Sequence, residues 1–255
     1  MKRLLLFLST IFLSCTDLNH VNPLDPENPE AEADQIVVVE NFIMHYSDLS
    51  TIPDPVKNSQ DALYELVPKY GEKMIILEYH MPPYLSTNTD AYSIPEDTVR
   101  YNQYRDNAPR GFPHVFFNGK QNSAQGASSK TSAKARYEAY LDTMTIRKNK
   151  LYCELEKSVS GNILTIHSRI ARFGEIGINN LSVEFIIFEN YGDSKNFTVR
   201  DILLPITITS IGAKEIYELD PQTVTLGSRY TTGDAGVVII VKDNISKQIL
   251  QAAVQ

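Results

Sequence analysis

The sequence predicts an α/β unit with parallel strands followed by an all-β antiparallel sandwich. Up to about residue 150, strand-like apolar runs alternate with helical stripes. Beyond that point apolar and polar residues alternate with period two through many short segments. Turn signals such as Ser160-Gly161-Asn162 separate those segments. Residues 35–149 and 150–255 therefore read as two domains.

In the first region Gln35-Ile36-Val37-Val38-Val39 is a continuous apolar run, the pattern of a strand buried on both faces. Ala62, Leu63, Leu66, Val67 and Tyr70 fall on one helical stripe. Pro68 would break that helix a turn early, and Gly71 stands where it would end. Residues 73–80 form a second buried run, followed by a long loop carrying Pro82-Pro83. A short helix is expected over 96–107. Val115-Phe116-Phe117 reads as a strand entering an Asn118-Gly119 turn, a strong hairpin signal. Residues 132–148 read as a helix, with Tyr137, Tyr140, Leu141 and Met144 on its apolar stripe. Strand–helix–strand units imply parallel strands in a covered sheet.

In the second region Leu151, Cys153 and Leu155 point one way while Tyr152, Glu154 and Glu156 point the other. Leu164, Ile166 and Ile170 alternate similarly, as do Leu181, Val183, Phe185 and Ile187 against Ser182 and Glu184. Many short alternating strands indicate a sandwich. Residues 237–241 read as a central strand, with 247–253 pairing beside it.

The N-terminus carries a different signal. Met1-Lys2-Arg3 is basic, residues 4–13 are apolar, and Ser14 and Cys15 follow. A basic start, a short apolar run and a small residue make a secretory signal, here 1–14. The run is about half of the ~20 residues a membrane-spanning helix needs. Phe12-Leu13-Ser14-Cys15 resembles the box cut by lipoprotein signal peptidase, which implies a lipid on Cys15. Residues 15–34 then read as an acidic, proline-spaced tether: Pro23, Pro26 and Pro29 stand among Asp25, Glu27, Glu30, Glu32 and Asp34, with no basic partner in the stretch. Such a segment is expected to be extended and unpacked. A net charge of −7 and a pI near 5.3 argue against a nucleic-acid footprint and against electrostatic adsorption to anionic lipid. The membrane contact expected is the lipid itself.

The nonapeptide Gly111-Phe112-Pro113-His114-Val115-Phe116-Phe117-Asn118-Gly119 is similar to the cis-proline loop and following hairpin of thioredoxin-fold proteins. The chain as a whole resembles bacterial lipoproteins of the "outer membrane protein twenty-eight" family, which join a thioredoxin-like domain to an immunoglobulin-like sandwich. Glu40-Asn41-Phe42, Glu78-Tyr79-His80 and Tyr101-Asn102-Gln103-Tyr104 fit that pattern, as do residues 237–243 and 249–252 at the end. The resemblance implies a degenerate thioredoxin-like domain over 35–149, an immunoglobulin-like domain over 150–255, an outer-membrane location, and a structural cis-proline loop of Gly111, Phe112 and Pro113.

The departure from that pattern decides the chemistry expected. Thioredoxin-like enzymes carry Cys-x-x-Cys after the first strand, and residues 44–55 here contain no cysteine. Dithiol exchange needs an attacking thiolate and a resolving thiol. Cys153, the other cysteine, lies on a strand's apolar face, where a structural thiol is expected. No catalytic residue and no cofactor follow from the sequence. The expected role is non-catalytic binding, adhesion or envelope assembly. The competing expectation is residual redox or metal-dependent activity, for which His45, His80 and His114 are the candidate ligands of an open zinc site. Tyr84, Tyr92, Tyr101 and Tyr104 could grip a protein, peptide or glycan, or simply seal the long loop. Lys130, Lys134, Arg136, Arg147, Lys148 and Lys150 read as a solvated helix face.

Overall fold

The structure, a computed structural model, describes residues 22–44, 54–82, 90–105, 109–192, 197–230 and 235–255. Cys15, His45 and Tyr84 lie outside these residues. Strands dominate. In chain order the elements are β1 (Ala33–Asp34), β2 (Val37–Ile43), α1 (Pro55–Tyr64), α2 (Val67–Tyr70), β3 (Met74–His80), α3 (Pro95–Arg105), β4 (His114–Phe117), β5 (Ser123–Gln125), α4 (Lys130–Met144), β6 (Lys148–Asn149), β7 (Leu151–Ser160), β8 (Ile163–Arg172), β9 (Ile178–Glu189), β10 (Thr198–Ile202), β11 (Ile206–Ile211), β12 (Ile216–Glu218), β13 (Gln222–Thr225), β14 (Ala235–Asp243) and β15 (Ile249–Val254). Among the described residues no helix is long and apolar enough to cross a membrane.

Local chemistry explains the helix ends. Asp54 caps α1 by accepting from the Val56 and Lys57 amides, and Pro55 occupies the first helical position, where a missing N–H costs nothing. The helical stripe is divided at Pro68, where the break is expected: α1 ends at Tyr64 and α2 starts at Val67. Ser129 caps α4, which ends at Met144 rather than running to Lys148, because Lys148 is drawn into β6.

The expected parallel pair is present: β2 and β3 run side by side from Val37↔Met74 to Ile43↔His80, with α1 and α2 between them in sequence. Glu40-Asn41-Phe42 and Glu78-Tyr79-His80 lie within these strands, not after them. β4 pairs antiparallel with the far side of β2, and β5 with β4. The hairpin loop is longer than the Asn118-Gly119 signal alone implies, since the Phe117 amide donates to Asn122 O. Asn118 and Gly119 both have positive φ, at 50° and 94°.

The chain does not divide at residue 150 as the pattern change suggests. β10 pairs in parallel with β3 at Thr198↔Glu78, so one nine-stranded sheet runs β15-β14-β9-β10-β3-β2-β4-β5, with β11 also on β9. A four-stranded sheet of β7, β8, β12 and β13 packs on part of it. The large sheet curls far enough for its ends to meet. Ile249 donates from its amide to Asn118 O (3.1 Å), and a Cβ on Gly119 would lie 2.6 Å from Lys247 O. Gly119 is therefore required twice over, for its φ and for the close approach.

The two faces of the large sheet are covered differently. One face is continuous across both halves: Val38, Phe42, Leu77, Tyr79, Ile186, Phe188, Val238 and Ile240 share a core with Tyr101 and Tyr104 of α3. The other face is split. Over β2, β3 and β4 it packs on α1 and α4 through Val37, Val39, Ile76, Leu63 and Tyr137. Over β9 and β14 it packs on the smaller sheet through Val183, Phe185, Ile239, Ile166 and Cys153.

A seam of carboxamides fastens the start of the body, the 147–151 connection and the last strand together. Gln251 is buried, donates to Asp34 O (3.0 Å) and Leu151 O (2.9 Å), and accepts from the Ile36 (3.1 Å) and Ala252 (3.2 Å) amides. Asn149 and Gln35 both donate to Leu250 O.

Residues 22–34 overturn the expectation of an extended tether. The repeat Asn22-Pro23-Leu24, Asp25-Pro26-Glu27, Asn28-Pro29-Glu30 folds as three successive turns. In each, the Asx Oδ1 accepts from the amide two residues on, and its carbonyl accepts from the amide three residues on. Asx at the first position and proline at the second is the sequence that a type I turn favours. Ala31 and Ala33 are then buried against Ala171 and Phe173. The acidic residues find their partners outside the stretch: Asp34 with Lys148 (2.6 Å) and Lys73 (3.1 Å), Glu32 with Lys150 (3.3 Å).

Candidate functional site

The cis-proline loop sits beside the C-terminal end of β2. The Phe112–Pro113 peptide bond is cis. Gln125 clamps the loop by donating to Pro109 O and Gly111 O, and a Cβ on Gly111 would lie 2.7 Å from Gln125 Nε2. The Gly126 amide donates to Pro113 O (2.8 Å). On the described side the loop covers packed rings: Tyr101–Phe112 at 5.0 Å, Phe42–Tyr101 at 5.1 Å, and His114–Phe116 at 4.2 Å between centroids.

Of the three histidines of the competing zinc reading, the two described ones do not come together. His80 pairs with Ile43 and His114 with Phe42, adjacent positions of the same strand. Side chains alternate along a strand, so the two imidazoles lie on opposite faces of the sheet. His80 Nδ1 bonds Asp90 Oδ2 (2.8 Å), and His114 Nδ1 bonds the Tyr101 hydroxyl (3.2 Å). Burial pushes His114 down to about 4, so it is neutral at pH 7. His45 lies outside the described residues. Among the described residues no group of three or more His, Cys, Asp or Glu side chains is arranged to hold a metal.

Tyr79, Tyr101 and Tyr104 are buried core residues, and Tyr92 packs against His80 and Tyr191. The basic helix face is largely paired: Lys130 and Lys134 both reach Glu65, and Arg136 donates to Gln125 O and Gly126 O. Cys153 is buried and its thiol is pushed well above its ordinary range by burial.

The alternation pattern missed a buried ionic cluster. Glu184, which the alternation sets opposite the apolar residues of β9, is buried beneath α3. Arg100 of α3 and Lys242 of β14 both donate to its carboxylate. Arg100 Nε also donates to Glu40 of β2 (2.8 Å), as does the Tyr79 hydroxyl (2.8 Å). Burial raises the Glu184 carboxyl, but Arg100 and Lys242 outweigh it and hold the group near 2. Burial and the neighbouring Arg100 charge lower Lys242 to about 8 despite Glu184. Two carboxylates and two cations are closed off from solvent here, so the cluster joins strands of both halves rather than offering a proton to a substrate. Its sequence signal was present: Glu40 and Lys242 interrupt otherwise apolar runs.

On the split face Glu78 is separately buried. Desolvation lifts it to about 8, against hydrogen bonds from Gln60 and Tyr64.

A cleft lies along the outer edge of β15, beside residues 24–36. It encloses about 940 Å³ and is lined by Ile36, Ile75, Tyr152 and residues 251–254, with Asp34, Lys73 and Lys148 as its charged wall. That volume is in the ~300–1,000 Å³ range of ligand pockets. Lys148, then Lys73, hold Asp34 below the usual carboxylate range.

No family model matches the chain, and no curated protein matches it in sequence. Its fold is shared with solved structures. HBP35 of Porphyromonas gingivalis superposes with a TM-score of 0.64 at 15% identity, over 87% of this chain and 75% of that one. A structural-genomics protein of Agrobacterium tumefaciens superposes with a TM-score of 0.52 at 17% identity, over 87% and 95%. Both span the junction at residue 150, so the joined architecture is common to them.

Proposed function

We propose that this protein is a bacterial envelope lipoprotein, held by a lipid on Cys15, whose degenerate thioredoxin-like region and immunoglobulin-like sandwich serve binding or envelope assembly rather than catalysis. One observation carries the reading. The loop that a thioredoxin-like enzyme sets against its dithiol is here packed through its own Phe112 on Tyr101, which in turn packs on Phe42, while the body's one thiol, Cys153, is buried in the sandwich. A thiolate is the nucleophile in dithiol exchange, and a buried, fully protonated thiol does not supply it. The cleft beside β15 is the candidate ligand surface.

Insulin reduction by the soluble body is expected to stay at background, and turnover abolished by Cys153→Ser would overturn the non-catalytic reading. Metabolic labelling with palmitate is expected in the wild type and lost in Cys15→Ala. Labelling that survives the substitution would refute the anchor.

A further inference from the structure

We infer that residues 22–34 are a strap belonging to the folded body, so that a lipid on Cys15 holds the strap-bearing face close to a membrane surface of zwitterionic headgroups. This rests on the lipidation reading above. The strap's own structure does not depend on it.

The repeat gives the strap its shape. Three Asx-Pro units close three turns with the same pair of hydrogen bonds, so no unit depends on a distant partner. Proline at the second position has a fixed φ and gives up an amide that the turn does not use. Packing then gives the strap its place. Ala33 pairs with Asn149, Ala31 O accepts from Lys150 Nζ (2.9 Å), and Ala31 and Ala33 are buried in one cluster with Ala171 and Phe173. Asp34 ties the end of the strap to Lys73 of the first region and Lys148 at the connection. A tether makes no such contacts.

The consequence is a change of length. Had residues 15–34 been free, the lipidated sulfur could sit up to ~65 Å from the body, at ~3.4 Å per residue. With the strap folded, only residues 16–21 separate Cys15 from Asn22, a reach of at most ~25 Å. The strap packs at the end of the smaller sheet formed by Leu151 and Arg172, which face each other across β7 and β8. The Ser160–Ile163 tip of that hairpin lies nine residue steps further on, ~30 Å away. Because the bilayer excludes the body and the reach is shorter than that offset, the tip lies on average farther from the surface than the strap.

The surface chemistry selects the lipid. Glu27 and Glu30 are exposed on the strap, and Leu24 and Val254 are exposed beside the cleft. Exposed carboxylates are repelled by anionic lipid, whereas zwitterionic headgroups carry no net charge to repel them. The cleft, which Leu24 helps to line, lies on this membrane-proximal side.

Energy transfer from labels on the full lipidated protein in phosphatidylcholine vesicles tests this. Single cysteines at Glu30→Cys and Asn162→Cys are labelled, since Cys153 is buried and Cys15 is blocked by lipid. Transfer to a headgroup acceptor is expected to be at least about twofold stronger from position 30, given the ~30 Å offset. Inserting about twelve Gly/Ser residues before Asn22 should weaken it, because the added chain lengthens the reach. Equal transfer from both positions, or transfer indifferent to the insertion, would overturn the proposal. Protection of the Ala31 and Ala33 amides from hydrogen exchange in the soluble body is a separate readout, and rapid exchange there would overturn the strap itself. Failure of the wild type to cosediment with vesicles would remove the anchor, and the membrane role with it, while leaving that exchange result standing.

Discussion

The two faces of the large sheet bury similar strands by different means. The split face is tiled by separate layers: helices α1 and α4 over the first region, the smaller sheet over the second. The continuous face has no such division. α3 covers strands from both regions, and a cluster of four charges sits beneath it. The comparison teaches that a chain can carry the periodicities of two domains while its main sheet makes it one unit. What lies on the split face reports local pattern. What lies on the continuous face reports how the regions are joined.

The sharpest way to break the continuous face is Glu184→Gln. It leaves Arg100 and Lys242 buried with only Glu40 to answer them, and removing one partner of a buried ion pair costs ~3–5 kcal/mol. Denaturant unfolding should show that loss, with Lys242→Met in the same background recovering part of it through the coupling of contacting residues. A single-variant loss under ~1 kcal/mol would show that the cluster does not join the regions. The contribution of Glu184 also has a pH sign. Its carboxyl is held near 2, below its ordinary 4.5. The stability it gives is therefore present above about pH 4.5 and drains away as pH falls toward 2.

Gln251→Ala attacks the junction by a neutral route. It deletes four hydrogen bonds at the seam, and with ~1–3 kcal/mol for each buried group left unpaired, ~2–4 kcal/mol is expected in total. Since no group there titrates, that loss should be the same at pH 5 and pH 8. A loss that grows with pH would mean the seam and the ionic cluster are coupled.

The split face has its own pH signature in Glu78, with the opposite sign to Glu184. Its carboxyl is raised from 4.5 to about 8, so its stabilising protonated form is complete below pH 4.5 and is lost as pH rises through 8. Glu78→Gln should flatten that slope and leave the protein more stable by several kcal/mol at pH 8. An unchanged slope between pH 5 and 8 in thermal unfolding would refute the assignment.

The smallest effect concerns the closure of the curled sheet. Gly119→Ala meets both a positive φ and the Lys247 carbonyl, and ~1–2 kcal/mol is expected. Gly126→Ala, which has a positive φ but open space around it, should cost less. Equal costs would show that backbone conformation alone sets the requirement.

Several elements were legible because their signals are local. The parallel β2–β3 pair, the α4 stripe, the β4–β5 hairpin and the alternating strands of the smaller sheet follow from periods of 2 and 3.6 and from turn residues. The strap escapes a reading by composition, because proline and acidic residues oppose packing while the Asx residue before each proline closes a local turn. Glu184 escapes the pattern because alternation assumes one dry face, and β9 is dry on both. His80 and His114 stay apart because their strand positions have opposite parity, which only the pairing register reveals.

By itself the sequence determined the lack of a Cys-x-x-Cys pair, most of the elements and the change of period at residue 150. These depend on residues near one another in the chain. Only the tertiary structure decided that β10 joins β3, that Glu40, Arg100, Glu184 and Lys242 meet, and that the strap is docked. Those contacts link positions dozens to more than two hundred residues apart. No periodicity encodes them, because they arise when buried charge and unpaired backbone must find partners away from water.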